Sequence, residues 1–191
     1  MNDSLQDIGF KYRTDKSGCN GGSHIFNNKT LLHTYERHFK HLRNLPITLL
    51  EIGILDGGSL KMWKDYFPNG NIIGLDIDPD KMKFQSERIS IYIGSQNDEN
   101  ILNRIKKENP NGFDIVIDDG SHNPEHQFES YRHFKSHLAK GGIYVIEDIQ
   151  NIDLDRTSFE NIDPEKNVTI LDHRHIKNRY DDVMVIIRDK E

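Results

Sequence analysis

The chain is poor in several things a protein can be rich in. It has one cysteine, Cys19, in 191 residues. A single thiol rules out an intramolecular disulfide and any cysteine-built zinc cluster. No window holds the ~18 consecutive apolar residues of a membrane-spanning helix. Positive charge is short: 25 Lys and Arg face 31 Asp and Glu, for a net charge of −6. That is the wrong overall sign for a protein that coats nucleic acid. Hydrophobic residues make up 35%; with glycine added the share is roughly 42%, under the usual 45–50%. Apolar runs still recur at regular intervals, which excludes gross disorder. The first residues, Met1 to Asp7, lack the charged-then-apolar pattern of an export signal. With no disulfide framework either, a cytoplasmic location is the simplest expectation. No repeat, low-complexity stretch or Pro/Ser-rich linker divides the chain, so 1–191 reads as one domain.

What is present is a regular alternation. Strand candidates fall at 48–53, 71–76, 89–93, 113–118, 142–147, 168–171 and 182–187. Most are near-continuous β-branched runs without strict alternation, as expected of strands buried on both faces of a parallel sheet. Helical spacing appears between them. Leu31, Leu32, Tyr35, Phe39 and Leu42 precede the first strand; Leu60, Trp63 and Phe67 follow it. Ile101, Leu102 and Ile105 follow the third, and Phe128, Tyr131, Phe134 and Leu138 the fourth. That last helix is expected to run on to a stop at Gly141-Gly142. The pattern predicts an α/β fold: a doubly wound, Rossmann-like, seven-stranded sheet. Residues 1–46 read as an N-terminal helical cover and 47–191 as the sheet core. From Asp148 to Asn167 no helical period is evident. Only about ten residues separate the last two strands, fewer than a parallel crossover needs. They are therefore expected as an antiparallel pair closing one sheet edge.

Acids mark the ends of the strands: Glu51, Asp76, Asp118 with Asp119, and Glu147 with Asp148. In an open α/β sheet that edge is where ligands bind. The first strand runs into Glu51-Ile52-Gly53-Ile54-Leu55-Asp56-Gly57-Gly58. Gly53 and Gly57 suit a tight turn that a ligand approaches. A dinucleotide fingerprint would need glycine at position 55; Leu55 stands there and obstructs a pyrophosphate. A nicotinamide oxidoreductase is disfavoured for that reason. Asp76, 23 residues after Gly53, is placed to accept hydrogen bonds from ribose hydroxyls.

These residues resemble the class I S-adenosylmethionine-dependent methyltransferases. Further blocks look like the macrolide-sugar O-methyltransferases of the mycinamicin and macrocin type, over about residues 12–150. They are Thr14-Asp15-Lys16, Ser59-Leu60-Lys61-Met62-Trp63, Tyr66-Phe67-Pro68, Asp118-Asp119-Gly120-Ser121-His122 and Ile146-Glu147-Asp148. The resemblance implies S-adenosylmethionine and Mg²⁺ as cofactors. It implies a donor site of Glu51, Gly53, Gly57, Ser59, Asp76, Ile77, Ser95, Gln96 and Asp118. It gives the metal to Asp119, Glu147 and Asp148, and catalysis to His122 as base with Asp119. Ser95 stands where the family usually carries an acid, and Asn151 where a Thr is common.

The chemistry suits that assignment. A sugar hydroxyl is a poor nucleophile near neutral pH. Carboxylates form a hard-oxygen site suited to Mg²⁺, a bound cation lowers a hydroxyl's pKa, and a nearby His can take the proton. The expected partner is a small sugar-containing acceptor, with no nucleic acid and no membrane, and a homo-oligomer is possible. A non-catalytic donor-binding module is the rival reading. Asp118-Asp119 can equally cap a turn, and Thr14-Asp15-Lys16 can be a helix start. His126, and the i, i+4 pair His133 and His137, read as solvated helix positions. His33, His38 and His41 read as surface or partner-facing. Cys19 has no evident base nearby.

Overall fold

A computed structural model describes residues 3–18, 31–177 and 180–190. Cys19 lies outside the described residues. The elements run, in order, α1 (Leu5–Tyr12), α2 (Leu31–Phe39), β1 (Thr48–Ile52), α3 (Gly58–Tyr66), β2 (Asn71–Asp76), β3 (Ile89–Ile93) and α4 (Glu99–Glu108). There follow β4 (Phe113–Asp118), α5 (Pro124–Phe134), β5 (Leu138–Ile146), α6 (Ile152–Glu160), β6 (Lys166–Asp172), α7 (Arg174–Lys177) and β7 (Val183–Asp189). The seven strands form one sheet in the order β3-β2-β1-β4-β5-β7-β6. The first five are parallel. β7 runs antiparallel to both β5 and β6. The antiparallel terminal pair is as the sequence predicts, with β7 inserted inside β6, which forms the edge.

Neighbouring strand residues face opposite sides, and both sides are covered. Leu49, Ile115 and Ile117 pack on one side with Leu5, Leu32, Tyr35, Phe39, Trp63 and Phe67 from α1–α3 and the turn after α3. Leu50, Ile52, Val116 and Tyr144 pack on the other with Leu102, Ile105, Tyr131, Phe134 and Phe159 from α4–α6. Two such faces explain why the strands read as unbroken apolar runs. Local signals start the helices. Ser4 and Asp7 make a capping box on α1. Asp98 caps α4, and Asn123 caps α5 with Pro124 in its first turn. No helix among the described residues is long and apolar enough to cross a membrane.

Three expectations are corrected. The helix after β4 does not reach Gly141-Gly142; it ends at Phe134 and passes through a 3₁₀ turn at Lys135–His137. β5 then begins at Leu138, which pairs with Phe113 across a register shift. The glycines lie inside that strand, and Gly141 takes φ +79°, an irregularity in the ladder rather than a helix stop. The stretch 148–167 contains α6. Only Ile152 and Phe159 of α6 are buried, while Leu154 is 85% exposed, so no helical period was there to read. The histidines of α5 and its turn are also less solvated than expected. His133 packs against Phe134, and His137 Nε2 donates to the Asn109 carbonyl at 2.8 Å.

Candidate functional site

Strand pairing carries three loops to one point. Ile52 of β1 lies beside Asp118 of β4, and Asp118 lies beside Ile146 of β5. The ladder extends one step further, with Asp119 N–H donating to Ile52 O and Glu147 N–H to Asp118 O, both at 2.9 Å. Gly53, Asp119 and Glu147 therefore follow three adjacent strands at the same edge. This is the switch point of the sheet, where the strand order reverses between β1 and β4. Gly53 holds φ +90°, and a Cβ on it would lie 2.0 Å from the Asp119 carbonyl oxygen. Only glycine permits that approach. Three non-glycine residues beyond these strand ends are also left-handed: Leu55 (φ 47°), His122 (φ 57°) and Asp148 (φ 52°). Such backbone costs free energy and clusters at functional sites.

One group forms a metal-sized cluster. Ligand atoms of Asp119, His122 and Asp148 lie within 4.8 Å of one another. His122 Nε2 is 3.1 Å from Asp119 Oδ1 and 3.9 Å from Asp148 Oδ2. A carboxylate only accepts, so that nitrogen carries the proton. The hydrogen bond to Asp119 raises the His122 pKa against the effect of burial. Burial pushes Asp148 up to about 6, with the charge of Asp119 adding to it. Burial also raises Asp119, but Lys16 and His122 overcome this and hold it below the carboxylate range.

Glu147 is placed differently from the other two expected metal residues. It is 3% exposed. Its Oε1 accepts from Lys16 Nζ at 2.7 Å and also from the Tyr35 hydroxyl. Lys16 Nζ further donates to Asp119 Oδ2 at 2.5 Å and lies 3.7 Å from Glu51 Oε1. Burial alone would depress this ammonium, but the fields of Asp119, Glu147 and Glu51 hold its pKa well above the ordinary value. Thr14-Asp15-Lys16 is thus the start of a short 3₁₀ turn, Asp15–Ser17, and it also reaches the site. Tyr35 read only as helix packing. Neither side chain announces its role in sequence: a lysine in a turn ordinarily faces water.

The other half of the site lies on β1 and β2. Asp76 Oδ2 accepts from Ile54 N–H at 2.8 Å and its Oδ1 from Asp78 N–H at 2.9 Å. Beside it stand two exposed apolar side chains, Leu55 at 64% and Ile77 at 72%. Glu51 is fully buried, with Oε2 on Ser59 Oγ at 2.7 Å, and burial raises its pKa to about 7. Asp118 is fully buried too, its oxygens 3.0 and 3.2 Å from Gln96 Nε2, with a pKa raised by burial to about 7. Gln96 Oε1 in turn accepts from Ser121 N–H at 2.7 Å, which ties the β3 and β4 loops together. Glu51, Ser59, Gln96 and Asp118 therefore form a buried wall of side chains beneath the strand-end loops. Gly57 is explained locally: its φ is +73° and a Cβ there would meet the Phe84 ring at 2.6 Å. Ser95 turns to its own loop, donating to Asn97 Oδ1 at 2.5 Å. His126 Nδ1 pairs with Ser121 Oγ at 2.9 Å in an exposed contact.

Comparison with known proteins bears on the chain's likeness in sequence and fold. No family model matches the chain. Among curated proteins it is 46% identical over 123 residues to the mycinamicin VI 2''-O-methyltransferase of Micromonospora griseorubida, covering 60% of this chain and 30% of that protein. It is 46% identical over 123 residues to the demethylmacrocin O-methyltransferase of Streptomyces fradiae, with the same coverages. The chain thus spans about a third or less of the length of these relatives. Among solved structures, the MycE methyltransferase of the mycinamycin pathway, in complex with Mg and SAH, superposes with a TM-score of 0.78 at 28% identity. The match covers all of this chain and 56% of that one. An O-methyltransferase from Bacillus cereus gives a TM-score of 0.63 at 12% identity, a likeness of fold alone. In fold and in sequence, this chain resembles the class I S-adenosylmethionine-dependent methyltransferases of the macrolide-sugar type.

Proposed function

We propose that the chain transfers a methyl group from S-adenosylmethionine to a hydroxyl of a sugar, in a glycosylated metabolite or a surface polysaccharide precursor, with Mg²⁺ as cofactor. The observation that carries this is the convergence of Asp119, His122 and Asp148 at the strand edge that also holds Gly53 and Asp76. Both groups fit the residues present. Two carboxylates beside an imidazole are donors for a hard divalent ion, and the buried acids around them outnumber the one ammonium that faces them. On the other side, Asp76 suits ribose hydroxyls, and Leu55 and Ile77 offer apolar faces to a flat base. When bound, Mg²⁺ supplies Lewis acidity toward the acceptor hydroxyl, and S-adenosylmethionine supplies the methyl.

The chain's own residues do the rest. Asp119 and Asp148 would hold the cation, with Glu147 behind them. His122, once neutral, takes the hydroxyl proton, and Asp119 orients its ring and stabilises the imidazolium that results. Leu55 and Ile77 exclude water from the donor, and the wall of Glu51, Ser59, Gln96 and Asp118 fixes the loops so that donor and acceptor meet in line. The relatives named above, whose names give demethylmacrocin and mycinamicin VI as what they methylate, support the acceptor class.

His122→Ala and Asp119→Ala are expected to lower turnover by about 10²–10⁴-fold while donor binding, measured calorimetrically, survives. Full activity of both variants on a verified sugar acceptor would defeat the mechanism.

A further inference from the structure

We propose that Lys16 is a positioning residue for the divalent-cation site. Its ammonium holds Asp119 and Glu147 by the oxygens turned away from the ion, so that the remaining Asp119 oxygen faces Asp148 and His122. The inference rests on the cation reading given above.

Lys16 is 3% exposed. Its Nζ meets carboxylates from three different strand ends: Glu51 at the end of β1, Asp119 after β4 and Glu147 after β5. The partners at hydrogen-bond distance lie 103 and 131 residues away in sequence. The turn that carries Lys16 is itself fixed. Ser17 Oγ donates to Thr14 O at 2.5 Å, Lys16 N–H donates to Asp15 Oδ1 at 2.9 Å, and Gln6 of α1 donates to Ser17 O at 3.2 Å. α1 is anchored by Leu5 and Ile8, both buried. The ammonium is therefore delivered by a rigid element rather than by a mobile surface arm.

Two roles are open to a buried cation beside a metal site. It can occupy the ion's place, or it can orient the ligands from outside. The oxygens decide between them. Asp119 gives Oδ2 to Lys16 and Oδ1 to His122. Asp148 Oδ2 lies on the His122 side. The metal-sized cluster is thus on one side of the Asp119 carboxylate and Lys16 is on the other. Glu147 is pinned by the same ammonium, with Lys16 and Tyr35 sharing its Oε1. Partners of this kind fix ligand geometry, and their loss typically weakens metal affinity about 10–100-fold. Repulsion between ammonium and ion acts in the opposite direction, so the sign of the change separates orientation from competition.

The test is Mn²⁺ binding measured by electron paramagnetic resonance, without donor or acceptor, so that no turnover is needed. Wild type, Lys16→Met, Tyr35→Phe and Asp119→Ala are compared, each checked for fold by circular dichroism. Asp119→Ala is expected to abolish the site. Lys16→Met is expected to weaken it about 10–100-fold, with Tyr35→Phe weakened less. Unchanged or tighter binding by folded Lys16→Met, with Asp119→Ala still inactive in binding, overturns this inference alone. No binding by wild type overturns the cation reading and this inference with it. A second measurement needs no variant. In wild-type crystals soaked in Mn²⁺, Lys16 Nζ should keep its contacts to Asp119 Oδ2 and Glu147 Oε1. An ion found between those two oxygens, in place of the ammonium, overturns the proposal.

Discussion

Glu51 ends β1 with one oxygen on Ser59 and the other 3.7 Å from Lys16, an ion-pair distance too long for a hydrogen bond. Burial outweighs both and lifts its pKa from 4.5 to about 7. The sign of the consequence follows from proton counting. Between those values the folded state keeps a proton that the unfolded chain has released, so stability falls as pH rises through that window. Glu51→Gln removes the titration and keeps the shape. The variant should lose less stability than wild type between pH 5 and pH 8 in urea titrations without divalent ions, and identical losses would refute the argument. At this scale the acids were legible because each ends an apolar strand run. Lys16 and Tyr35 were not. Their meaning depends on carboxylates more than 100 residues away in sequence, which only the assembled sheet brings together.

At the scale of elements, the loop after β1 is the most constrained piece of backbone. Gly53→Ala would place a Cβ 2.0 Å from a backbone carbonyl at φ +90°. Backbone cannot step aside as a side chain can, and the conformation itself costs about 1–3 kcal/mol. Gly57→Ala also has a positive φ, but its obstacle is the Phe84 ring at 2.6 Å, which can shift. Gly53→Ala should therefore lower the urea midpoint more than Gly57→Ala, and it alone should abolish donor binding by pushing the Asp119 loop away. The reverse ranking would show that the Gly53 contact is not the tight one. The strands and their parallel order were legible because buried runs and crossover helices leave strong periodic marks. α6 was not, because it buries only Ile152 and Phe159 and shows Leu154 to solvent. The start of β5 was misread because Gly141-Gly142 resembles a helix stop and serves instead as an irregularity within a strand.

For the whole molecule, the net charge of −6 looks like a solubility feature until the acids are located. Glu51, Asp118, Asp119, Glu147 and Asp148 gather at one edge of the sheet, and the groups facing them are Lys16 and the imidazole of His122. Like charges held together in a low-dielectric setting destabilise the folded state, and a bound cation relieves this. A ligand that binds only the folded state at 100 times its Kd stabilises by about 2.7 kcal/mol. For a chain of this size each kcal/mol moves Tm by about 2–4 °C, so saturating Mn²⁺ should raise Tm by roughly 5–11 °C. The shift should vanish in Asp119→Ala and Asp148→Ala, which remove the ligands, and persist in Asp153→Ala, which removes a surface acid paired with Arg174. If calorimetry gave the same shift in all three variants, the ion would be acting on overall charge, and the strand-end acids would not be its site.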